Sequence, residues 1–251
     1  MILLLSFLAQ EAFDLRPDAK ADWGVSIADV RPVLAAAGRE LRKHFPERSF
    51  PPIEVAPKGG PITLFQRGPK GEIRVKLDVN GPFWAQYTFQ FAHELGHVVC
   101  GYDDDAHRQK WFEESICETA SLYVLRRSAE TWKTDPPYPN WKSYSTSLAA
   151  YADERLKKST IPDGLSLSAW YAANRAAWEA NAEDRPRNLI IAAQLLPLLE
   201  KDPTRWEAFS WLNTEKLGAS TSFPELLTAW EKHCPERHRA FVREIRRLFL
   251  P

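Results

Sequence analysis

Residues 83–101, "FWAQYTFQFAHELGHVVCG", constrain the fold more than any other stretch. Gly96 is the only helix breaker before Gly101, and Glu94 carries the only formal charge. Such a segment reads as a helix over about 83–100, stopped by Gly101. Its lack of charge places it in the interior of a domain. His93 and His97 stand four apart and therefore share one helix face, where both imidazoles can aim at one point. Glu94 projects from the adjoining face. That order suits a metal ion held by the two histidines, with the glutamate free to act on a water beside it.

The surrounding elements follow from periodicity and breakers. "SIADVRPVLAAAGRELRKHF" has helical apolar spacing behind an Ser/Asp cap, which predicts a helix over about 27–45. "PPIEVAP", "PITLFQRG" and "GEIRVKLDVNG" are short, β-branched and bounded by Pro or Gly. They predict a small, mostly antiparallel sheet. Its last strand alternates Ile73, Val75, Leu77 and Val79 with polar neighbours and suits a sheet edge. A second helix is expected over about 109–127, "QKWFEESICETASLYVLRR", followed by the proline-rich loop "KTDPPYPNW". From 143 onward the pattern is helical, with breaks near Pro162, Pro186, Pro203 and Gly218. The fold class is therefore α+β. Segment 1–12 stands apart, residues 13–130 form the core that carries the histidines, and 131–251 form a helical C-terminal subdomain.

Bulk properties exclude several function classes. Lys+Arg and Asp+Glu both number 33 in 251 residues, so no excess positive charge is available to drive binding to nucleic acid or an anionic membrane. No apolar stretch approaches the length of a membrane span. The apolar start, "MILLLSFLAQEAF", resembles the core of a secretory signal without its basic flank or cleavage site. As a signal remnant it implies a secreted or periplasmic protein. As a short buried first segment it implies a cytoplasmic one. Cys100, Cys117 and Cys234 are too few for a disulfide framework. Small buried thiols are the simpler reading, although Cys100 and Cys117 could meet if their helices pack face to face.

Helix, small sheet and then a buried "HELGH" helix resembles the zincin metallopeptidases over about residues 27–125. The resemblance implies Zn²⁺ as cofactor, His93 and His97 as ligands, Glu94 as general base and a peptide or protein as substrate. "WFEESICE" is similar to the downstream-glutamate signatures of gluzincins, the group that holds thermolysin-like enzymes and related aminopeptidases. This similarity implies Glu114 as third ligand and Glu118, one turn on, as the carboxylate that fixes a histidine tautomer. Glu118 as ligand is an alternative. So is Asp103, six residues after His97, in a metzincin-like register where Cys100 replaces the usual glycine. Tyr144, Tyr151, Tyr171 and His233 are candidates to stabilise an oxyanion, and His107 reads as a surface residue. The expected substrate path is a cleft between the sheet and the helical half, with strand 72–79 pairing to an extended peptide. The alternative to a zinc peptidase is a zincin-like module that holds zinc without turnover.

Overall fold

A computed structural model describes residues 12–250, so the apolar segment at the start of the chain lies outside the described residues. The chain is α+β. Four short strands accompany the first helix: β1 (Leu15–Pro17), α1 (Ile27–Arg42), β2 (Ile53–Ala56), β3 (Ile62–Leu64) and β4 (Ile73–Lys76). Helices α2 (Trp84–Cys100) and α3 (Lys110–Thr131) follow, and then a helical half. That half comprises α4 (Ser145–Leu156), α5 (Leu167–Ala180), α6 (Arg185–Lys201), α7 (Phe223–His233) and α8 (Glu236–Phe249), with 3-10 turns at Pro139–Tyr144, Pro162–Gly164 and Pro203–Trp211.

The sheet order is β1-β2-β4-β3. β1 pairs parallel with β2 and β2 parallel with β4, and only β3 with β4 is antiparallel. The sheet is thus mixed rather than mostly antiparallel. Strands of three or four residues alternate identically in both pairings, so orientation is not legible from their side chains. The connections decide it: α1 intervenes between β1 and β2, and β3 lies between β2 and β4 in the chain but pairs only with β4. β1 itself, "LRP", is too short to show a period. Because β4 is bonded on both sides, the edge beyond it is β3, and strand 72–79 does not offer an edge to a peptide. Ile53, Val55, Ile73 and Val75 turn inward and are buried. Their neighbours Glu54 and Arg74 pair across the outer face at 3.4 Å.

Local chemistry explains the helix ends. Ser26 caps α1 by accepting from the Ala28 N–H at 3.2 Å. Pro32 inside α1 has no N–H to offer the Ala28 carbonyl, and the Tyr138 hydroxyl donates to that carbonyl at 2.9 Å instead. At the end of α2, Gly101 takes φ 68°, and the N–H groups of Gly101 and Tyr102 donate to the carbonyls of Val98 and His97. This Schellman arrangement stops the helix where the glycine predicts.

The chain divides into two compact units. One holds the chain up to Leu95 with Ala120–Asp153, and the other holds Gly96–Thr119 with the chain from Glu154 onward. The core of the first is built from Val30, Val33, Leu34 and Leu41 of α1, the inward sheet residues, and Tyr87 and Phe91 of α2. The core of the second is largely aromatic: Trp111 has ring centroids of Phe223 at 4.8 Å and Trp178 at 5.0 Å. Among the described residues, no helix is long and apolar enough to cross a membrane.

Candidate metal centre

Within α2, Ala92, Leu95 and Val99 are buried, which fixes the helix rotation and leaves His93 and His97 partly exposed, one turn apart. Gly96 sets the approach of α3. A Cβ on residue 96 would stand 2.8 Å from the Cys117 Cα and 2.9 Å from its Sγ. Only glycine lets the two backbones come that close, and this proximity brings the acidic face of α3 to His97.

The Nδ1 of His97 meets Glu113 Oε1 at 2.6 Å. The other oxygen of Glu113 accepts from Asn213 Nδ2, also at 2.6 Å. An ionised carboxylate only accepts, so His97 carries its proton on Nδ1 and presents the Nε2 lone pair. Facing that lone pair, Glu114 Oε1 lies 3.4 Å from Nε2. An imidazole nitrogen and a carboxylate oxygen, each about 2.1 Å from one tetrahedral zinc, stand about 3.4 Å apart. In addition, the ligand atoms of His93, His97 and Cys117 all lie within 4.8 Å of one another. Two imidazoles and a buried thiol make a donor set that fits a divalent transition-metal ion.

Glu94 is 1% exposed. Its Oε2 accepts from the Thr63 hydroxyl at 2.7 Å, and the same hydroxyl stands 3.2 Å from the Glu94 carbonyl oxygen. Thr63 sits on β3, so the edge strand holds the carboxylate that follows His93.

The other candidates separate by their partners. Glu113 is the Nδ1 partner of His97. Glu118 is buried, with the Arg155 guanidinium 3.8 Å away. The Asp103 carboxylate accepts from the Asp104 N–H at 2.7 Å and faces Lys216 at 3.5 Å. His107 is buried rather than on the surface: its Nδ1 accepts from the Gln109 N–H, and its Nε2 lies 3.3 Å from Asp105. Burial pushes its pKa down. Tyr171 is packed among Trp111, Trp178 and Phe223, and burial raises its pKa to about 12. His233 is paired with Glu215 at 2.9 Å. Tyr144 accepts from the Ala85 N–H, and the Tyr151 ring lies 5.6 Å from Phe89. Ala85, Phe89 and His93 share one face of α2, so these two tyrosines flank the helix on the His93 side.

Sequence reasoning did not assign Cys117, Glu113, Asn213 or Thr63 to the site. Glu113 and Cys117 are four apart and share a helix face, a spacing that could have found both. Asn213 and Thr63 come from distant segments and carry no local signal. No family model, no curated protein and no solved structure matches the chain.

Proposed function

We propose that the protein is a zinc-dependent peptidase. The observation that carries this reading is the pairing of a metal-ligand set on α2 and α3 with a separate, buried carboxylate, Glu94, immediately after His93. His93, His97 and Glu114 would hold Zn²⁺, which supplies a Lewis acid for a peptide carbonyl and for the attacking water. Glu113 keeps the Nε2 of His97 free to ligate by holding its Nδ1 proton. Glu94 takes the proton of the attacking water and passes it to the leaving amine. Thr63 keeps that carboxylate in place between the two transfers. The substrate is an extended peptide aligned by backbone pairing with β3, the strand at the sheet edge, whose surroundings include the exposed side chains of Ile62 and Phe65.

The test is zinc content together with digestion of a peptide library by wild type and Glu94→Gln. The expected result is about one zinc per chain in both proteins. Cleavage should fall by about 10²–10⁴-fold in the variant, the contribution typical of a general base. Equal cleavage by both proteins removes Glu94 from the mechanism. Zinc in the wild type with no cleavage favours a second reading, a zinc-holding module without turnover. The observation behind that reading is Cys117, a thiol in the same ligand group as the two histidines.

A further inference from the structure

We infer that Cys117 is a thiolate ligand of the ion held by His93 and His97. The inference rests on the metal-binding reading above and does not require turnover. On α3, Glu113, Glu114 and Cys117 occupy positions i, i+1 and i+4, so the residue that orients His97 and the thiol lie one above the other on one face. Glu113 touches the Nδ1 of His97 and Glu114 lies beside its Nε2. Cys117 is wholly buried, and its sulfur is within 4.8 Å of the ligand nitrogens of both histidines. A zinc-bound imidazole nitrogen and thiolate sulfur, at about 2.1 and 2.3 Å from the ion, stand about 3.6 Å apart. That separation falls inside the observed ceiling. Gly96 has no side chain, and a Cβ there would stand 2.9 Å from the sulfur, so glycine permits this close approach.

A thiolate changes what the centre is. Two imidazoles and a thiolate favour zinc over harder ions such as manganese. Together they would be three protein donors, the number that leaves a tetrahedral ion one further position.

The test is a Co²⁺ titration of the metal-free full-length protein, read by the thiolate-to-cobalt charge-transfer absorption in the near ultraviolet. Wild type should develop this band and saturate at about one Co²⁺ per chain. Cys117→Ser should still bind Co²⁺ but lose the band, and its zinc affinity should fall by about tenfold or more, at least the loss seen when an outer partner is removed. Cobalt binding by wild type without the band overturns the thiolate and leaves the histidine site standing. A band that persists in Cys117→Ser assigns the sulfur to another cysteine and also overturns it. No cobalt binding at all overturns both the centre and this inference. The wild-type spectrum answers the question directly, whatever the stability of the variant.

Discussion

Glu113 and His97 are 16 residues apart in the chain and meet at 2.6 Å. The contact does two things at once. It selects the tautomer that leaves Nε2 as a donor, and it ties the end of α2 to the start of α3. Asn213 braces the far oxygen of Glu113, so the carboxylate arrives already oriented. Glu113→Gln keeps the shape and loses the charge. We expect it to weaken zinc binding by about 10–100-fold, as the loss of an outer hydrogen-bond partner does. A chelator-competition titration measures the loss, and an unchanged zinc affinity would remove Glu113 from the orienting role.

Gly96 is where the two helices touch most closely. With Cβ at 2.8 Å from the Cys117 Cα, Gly96→Ala has to push backbone against backbone. Overpacking of this kind costs about 1–3 kcal/mol, which outweighs the roughly 1 kcal/mol that alanine gains over glycine in an open helix. Urea unfolding should therefore show a lower midpoint for Gly96→Ala. A higher midpoint would mean that α2 and α3 have room to part.

The Thr63 hydroxyl donates to the Glu94 carboxylate, which is 1% exposed. Hydrogen bonds to charged groups contribute about 1.5–3 kcal/mol, and a buried acceptor left without one bears the desolvation penalty in full. Thr63→Val should destabilise the fold by that amount, while Thr63→Ser keeps the hydroxyl and should cost less. In a Glu94→Ala background the Thr63→Val penalty should largely disappear. A double-mutant cycle from denaturant melts measures the coupling, and additive effects would show that the bond contributes nothing.

Much of this arrangement was legible in the sequence, for physical reasons. The α2 helix announced itself because eighteen residues with a single charge have no other stable use, and Gly101 ended it by the conformation only glycine adopts cheaply. The i, i+4 spacing by itself puts His93 and His97 on one face. The direction of the strands was not legible, since four residues alternate identically whichever way a neighbour runs. Nor was the rotation of α3. The three carboxylates of its first half lie within six residues and face different partners: Glu113 meets His97 Nδ1, Glu114 the Nε2 side, and Glu118 Arg155. Which of them meets a histidine depends on the close approach at Gly96, a tertiary fact. The burial of His107 is not legible either, because it depends on Asp105 and on the loop that carries Leu217, whose N–H donates to Asp105.

A last prediction concerns acid stability and a histidine well away from the proposed ligands in the chain. His44 Nε2 meets the Tyr123 hydroxyl at 2.8 Å in a partly buried setting. Burial is the main cause that lowers its pKa, from 6.5 to about 4; Lys43 and Arg127 add to the effect and Glu40 opposes it. The sign follows from linkage. In the unfolded chain His44 takes up a proton near pH 6.5, whereas the folded protein refuses it until about pH 4. The stability contributed by the neutral ring is therefore complete above pH 6.5 and is lost as pH falls through that window. His44→Gln retains an amide that can bond to the tyrosine hydroxyl and has no proton to gain. Urea midpoints measured from about pH 7 down to about pH 4 should fall more steeply for wild type than for the variant. The gap between the two should be widest at the acid end. Parallel curves would mean that His44 titrates alike in the folded and unfolded chain, and that its burial does not couple protonation to folding.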